Sequence, residues 1–319
     1  MACIGRLALS ALAFGTLLAA SGCEVQSCKD ASGQDATCAK SLKRFELDDA
    51  IAPDALPYAA GTGVTVHGIY GDIHVKEGPS GQVGVKFELF DYRAYDAEDA
   101  ARDELAHHFD YTFEASDSGI LVTSGRHDST NGLGADITLY LPPEFDAALV
   151  LRNDSKGPIN PGDIDAESVG QATSVDLSTK SLGACEVHAG GSVLFTRAHC
   201  DGTITATGVA DDLDVASTGL SGTVSVVLSG IGESASGGSV TSEDGDVHVI
   251  FPDAASFGVQ AQSSKDGQVQ APTLDTGCAA DAAAETAKSY TCADGGPLYV
   301  VTAGTDSVGP SSVSLQYQP

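Results

Sequence analysis

Gly202-Thr203-Ile204-Thr205-Ala206, Gly222-Thr223-Val224-Ser225-Val226 and Gly245-Asp246-Val247-His248-Val249 are three copies of one pattern, Gly-x-(Val/Ile)-x-(Val/Ala). Further copies begin at Gly71, Gly81, Gly162 and Gly267. Asp212-Leu213-Asp214-Val215 and Gly191-Ser192-Val193-Leu194-Phe195 fill the intervals, giving one unit about every ten residues. Alternate Val and Ile mark a strand with one buried side, and Gly or Asp supplies the tight turn after it. A strand this short cannot bury its apolar side alone, so copies must stack. The expected fold is therefore all-β, a β-solenoid-like stack of short strands. A β-sandwich would meet the same constraint and is the alternative, but the small core residues and brief strands favour the solenoid.

Two stretches leave the rhythm. Residues 96–108 place Ala97, Ala100, Ala101, Leu105 and His108 near one helical face, with acids and Arg102 largely opposite, which predicts one inserted helix. Asp96 suits its N-cap. Ala279 to Tyr290 is Ala-rich and reads as a helical excursion between Cys278 and Cys292. Leu298-Tyr299-Val300-Val301 and Val313 to Tyr317 supply the last expected strands.

The other end of the chain speaks of location. Arg6, an apolar run from Leu7 to Ala20 and the small residues Ser21-Gly22 form a secretory signal over residues 1–22. The cysteine that follows, Cys23, makes the segment resemble the lipobox of bacterial lipoproteins, with Ala20 where Leu is usual. That resemblance implies lipid attachment at Cys23 and a membrane anchor of several acyl chains. Glu24, rather than the Asp that favours retention in the inner membrane, points to the outer membrane. Residues 23–57 lack alternation and read as a tether, with Phe45, Leu47 and Ile51 available to touch the domain; residues 58–319 form the repeat domain.

Eight cysteines are present. Cys3 leaves with the signal, and six remain besides Cys23. Cys28 with Cys38, Cys185 with Cys200 and Cys278 with Cys292 are neighbouring couples, and an exported chain favours disulfides. Six cysteines allow fifteen connectivities, of which local closure is the simplest expectation.

Composition narrows the function. The 44 acidic against 16 basic residues give a net charge of −28, which excludes nucleic acid and repels anionic lipid head groups. Zinc spacing of the C-x2-C kind is absent, so no metal and no cofactor are expected. His67, His74, His107, His108, His188, His199 and His248 read as surface residues; His74 and His248 alternate with inward Ile and Val. Glu243-Asp244-Gly245-Asp246 and Asp211-Asp212-Leu213-Asp214 offer oxygen ligands for calcium but match no known calcium loop, and solvated turns explain them more simply. Gly-x-Ser-x-Gly, a phosphate-binding loop and His-Glu-x-x-His are absent, and there is no Trp for a sugar platform. No catalytic residue is assigned.

The order of a first hairpin at Gly71-Asp72-Ile73, an acidic helix, a strand ending at Pro142-Pro143, and Gly-Asp repeats closing on Gly245 to Pro252 and Ala255 to Val259 resembles a known group. These are the bacterial β-strand-repeat, adhesin-like proteins of the DUF4097 type, of unknown function, and the resemblance spans about Val64 to Ala271. It implies a membrane-tethered solenoid without established activity. The expectation is a non-catalytic cell-envelope lipoprotein that meets an envelope protein or polysaccharide. A polysaccharide-binding or polysaccharide-cleaving solenoid and a periplasmic signalling partner are the alternatives.

Overall fold

The computed structural model describes residues 24–29, 35–40, 43–46, 50–69, 71–93, 103, 107–126, 133–154, 162–180, 183–189, 193, 195–219, 222–253, 255–293, 295–305 and 309–317. In the N-terminal part these form β1 (Glu24–Lys29), β2 (Asp35–Lys40), β3 (Lys43–Glu46), β4 (Leu56–Pro57), β5 (Val64–Gly68) and β6 (Ile73–Glu77). Then come β7 (Gln82–Arg93), β8 (Phe109–Ser116), β9 (Gly119–Arg126) and β10 (Leu133–Leu141). The middle holds β11 (Ala148–Asn153), β12 (Ile164–Ala166), β13 (Ser174–Thr179), β14 (Cys185–His188) and β15 (Phe195–Cys200). It continues with β16 (Ile204–Ala210), β17 (Asp212–Ser217), β18 (Val224–Gly230), β19 (Gly237–Ser242) and β20 (Val247–Phe251). The last six are β21 (Phe257–Gln262), β22 (Val269–Gln270), β23 (Ala279–Ala283), β24 (Ala287–Cys292), β25 (Leu298–Ala303) and β26 (Val313–Tyr317).

From β11 to β20 successive strands alternate between two sheets, and each from β11 to β18 pairs in parallel with the strand two places on. Two strands thus make one coil, and the coils stack as a two-faced solenoid. We call the sheets odd and even after the strands of this regular part. The alternating sequence explains the geometry, since every second side chain turns inward. One inward column of the odd sheet runs Val66, Leu151, Leu177, Ala198, Val215, Val240, Val301 and Ala261. Its counterpart in the even sheet runs Leu139, Val75, Ala166, Val187, Ala206, Val226, Val249 and Leu315. All of these side chains are buried.

The glycine of the repeat works through close approach. A Cβ on Gly222 would stand 2.0 Å from Ser217 Oγ, and one on Gly245 would stand 2.2 Å from the Gly222 carbonyl oxygen. Coils therefore touch backbone to backbone at this corner. Buried hydroxyls lock it: Ser217 donates to the Gly202 carbonyl at 2.7 Å and Ser242 to the Gly222 carbonyl at 2.6 Å. The Asp after the glycine caps a neighbouring coil. Asp72 Oδ1 accepts the Asp163 N–H, Asp163 Oδ1 the Ala184 N–H, and Asp246 Oδ1 the Ser312 N–H.

At both ends the chain order and the stacking order part company. β5 lies between β9 and β11, and β6 between β10 and β12. In the same way β25 lies between β19 and β21, and β26 between β20 and β22. Antiparallel strands cover the outermost coils: β7 and β3 beyond β10, β8 beyond β9, and β24 and β23 beyond β21. Such covers shield the outermost parallel strands of the stack, except that β22 remains an edge strand of the even sheet.

Three expectations change or fall outside view. The Ala-rich stretch 279–290 is a hairpin, β23 with β24, rather than a helix. Alanine favours helix, but an isolated helix of this length is marginal in water, whereas the free edge of β21 supplies a full ladder of hydrogen bonds. Tyr290 and Cys292 then fall on the buried side. Of the helix expected at 96–108, Asp103, His107 and His108 are helical and the rest lies outside the described residues. Within the expected tether, β1 pairs with β2, while β3, β4 and Ile51 pair with β7. Its C-terminal part is thus laid on the even sheet.

Candidate functional site

The outward side chains of the parallel strands form straight rows, because partners in register stand about 4.8 Å apart. On the even sheet one row reads Thr138, His74, Asp165, Glu186, Thr205, Ser225, His248 and Ser314. On the odd sheet a row reads Thr65, Val150, Asp176, Arg197, Asp214, Ser239, Val300 and Gln260. Each row carries one charged cluster.

On the odd face Arg197 bridges two carboxylates, Nη1 to Asp176 Oδ2 at 3.3 Å and Nε to Asp214 Oδ2 at 3.6 Å. His199 Nε2 lies 3.0 Å from Asp214 Oδ1. These groups are partly exposed, so each pair contributes about 1 kcal/mol or less. Further along this face, Asp154 binds Lys180 at 2.6 Å and His67 at 2.6 Å. The Lys180 ammonium, then His67, hold its carboxyl below the usual range.

On the even face His188 Nε2 is 2.7 Å from Glu186 Oε1, and its Nδ1 is 2.6 Å from Thr207 Oγ1. Asp165 stands opposite Glu186 in the register, and His74 Nδ1 is 3.7 Å from Asp165 Oδ2. Beyond these, His248 is half-buried on the same row, and that burial lowers its pKa. At the corner, Asp72 is raised above the usual carboxylate value, first by burial and then by the charges of Asp136 and Asp163; the Asp163 N–H opposes this.

The sequence-predicted residues fall as follows. Cys185 is bonded to Cys200, joining β14 to the end of β15 through the core, and Cys278 is bonded to Cys292 at the base of the β23–β24 hairpin. Cys185 and Cys200 are buried in the coil whose inward columns shrink to Ala198 and Ala206. Cys28 and Cys38 lie on paired strands, opposite Ala36 and Gln26, but their side chains and all of Cys23 lie outside the described residues. His107 is exposed, and His74, His188 and His199 line the outer faces. The acidic runs considered for calcium turn several oxygens onto backbone instead. Asp211 Oδ1 accepts the Gly232 N–H, and Asp212 Oδ1 accepts those of Ser236 and Gly237.

Reading by motif missed the two charged clusters, because their members come from different coils. The usable signal was the coil itself: once two strands make a turn, Asp165 and Glu186 become neighbours, as do Asp176 and Arg197. A shallow groove of about 250 Å³ also escaped notice, lined by Gln260, Gln262, Lys288, Ser289, Val300 and Thr302 at the C-terminal end of the odd face.

No family model and no curated protein matches this chain. Among solved structures, a "putative cell adhesion protein" of Clostridium sporogenes is 11% identical, with 85% of this chain and 99% of that one covered at a TM-score of 0.32. A "putative adhesin" of Bacteroides fragilis is 9% identical, covering 85% and 98% at a TM-score of 0.36. Another from Parabacteroides merdae is 9% identical, covering 85% and 97% at 0.27.

Proposed function

We propose that this chain is a non-catalytic, adhesin-like protein of the cell envelope that binds an extended partner along its sheet faces. The observation that supports this best is the outward row from His74 to Ser314, seven side chains in register across seven strands of one sheet. At strand spacing the row spans about 29 Å. Hydroxyl, carboxylate and imidazole groups at constant intervals suit a partner that repeats, such as an envelope polysaccharide, or an extended protein segment. In this reading Cys23 carries the lipid anchor, residues 23–42 space the domain from the membrane, and the outer membrane is the preferred site.

The test incubates the protein with envelope and extracellular polysaccharides and reads bound fraction and new reducing ends from the same samples. Binding without cleavage is expected, weakened by paired Thr205→Lys and Ser225→Lys substitutions that break the row. Release of reducing ends overturns the non-catalytic reading. Binding that ignores the two lysines overturns the role of this face.

A further inference from the structure

We propose that Asp165, Glu186 and His188 form a divalent-metal site of the zinc class on the outer face of the even sheet. Their donor atoms all lie within 4.8 Å of one another. The fold brings them together: Glu186 and His188 point the same way from β14, and β12 sets Asp165 opposite Glu186.

The ring of His188 is held from behind. Thr207, opposite it on β16, places its hydroxyl oxygen 2.6 Å from His188 Nδ1. On the other side of the ring Nε2 faces Glu186 Oε1, 2.7 Å away. With the ring proton on Nδ1, Nε2 and the two carboxylates can offer electron pairs to one divalent ion. A ligating histidine with its other ring nitrogen fixed by a neighbouring side chain is the arrangement that orients a metal ligand. One imidazole and two carboxylates suit zinc, or a neighbour in its series, better than calcium, which takes oxygen alone. Three protein ligands on an open face leave a coordination position for water or for a donor on a partner. His74, beside Asp165, stands near enough to orient it.

A proton on Nε2 would satisfy the same pair, and the experiment separates the two cases. The purified full-length protein, stripped with a chelator, is titrated calorimetrically with zinc chloride. One equivalent is expected to bind with a dissociation constant of about 1–10 µM. His188→Gln and Glu186→Gln should each weaken it at least about tenfold. His107→Gln, an exposed histidine away from both sheet rows, should leave it unchanged. Asp165→Asn, the mildest change, guards against misfolding as the cause, with circular dichroism run on every variant. Absence of saturable binding below about 100 µM, or binding indifferent to all three cluster variants, overturns the site.

Discussion

In the middle of the stack, chain order and spatial order coincide; at the C-terminal end they do not. Each strand from β11 to β18 hands on to the strand two places later, and core positions are filled by Val, Leu and Ala. At the C-terminal end β25 and β26 slot between coils formed earlier in the chain, and the core becomes aromatic. Phe251 and Phe257 stack with centroids 4.1 Å apart, and Tyr299 and Tyr317 pack edge-on against this pair. The difference teaches that repetition and termination need different chemistry. A repeating coil asks for small, identical side chains and a glycine at the corner. A terminal coil has no successor to cover it, so large rings and a crossed connection do that work.

Glycine substitutions test this contrast most severely. Gly222→Val, at a corner where coils touch, should cost about 3 kcal/mol or more in urea unfolding. Gly258→Ala, at the end, meets the flexible Leu298 side chain at 3.3 Å and should stay within about 1 kcal/mol. Equal losses would dissolve the distinction. Disulfide removal comes next. Cys185→Ala with Cys200→Ala should lower global stability by about 3 kcal/mol, because that bond ties both sheets through the core. Cys278→Ala with Cys292→Ala should instead open the hairpin locally, read as new proteolytic cleavage within residues 279–291 while the main unfolding midpoint moves less.

The smallest effect concerns the first interleaved seam, where Asp136, Asp72 and Asp163 come from adjoining coils. Asp72 is harder to ionise in the folded state than its ordinary value of 3.8. Folding is therefore penalised as pH rises above that value, and the penalty is complete once pH passes the raised one. Asp72→Asn keeps an oxygen for the Asp163 N–H and carries no charge. It should melt slightly higher than the parent at pH 7, with the two curves converging near pH 3.5.

Much of the middle was legible because a strand with one buried face writes its period into the sequence. Val224, Val226, Val247 and Val249 announce themselves, and the outward placement of His74 and His248 follows from them. The local pairing of Cys185 with Cys200 and of Cys278 with Cys292 could be expected from closeness in sequence. The ends could not be read this way, since nothing local to Leu298–Ala303 says that its neighbours are β19 and β21. The Ala279–Ala283 edge misled because alanine's helix preference was not weighed against a waiting strand. The metal-ligand cluster was hidden for a related reason. Asp165 and Glu186 meet only after a full coil, and coil length drifts enough that a fixed offset does not find them.

The slotting of β25 and β26 into the stack also sets a timetable. As the chain emerges, β21 and β22 appear before the strands on which they rest, and β25 and β26 are what join them to β19 and β20. Residues 257–293 must wait, partly unpaired, until residues 298–317 arrive and fill the gap. A chain cut short after Gly296 would keep its regular coils but lose the contact that fastens the aromatic end, which leaves an unfinished molecule clearly marked.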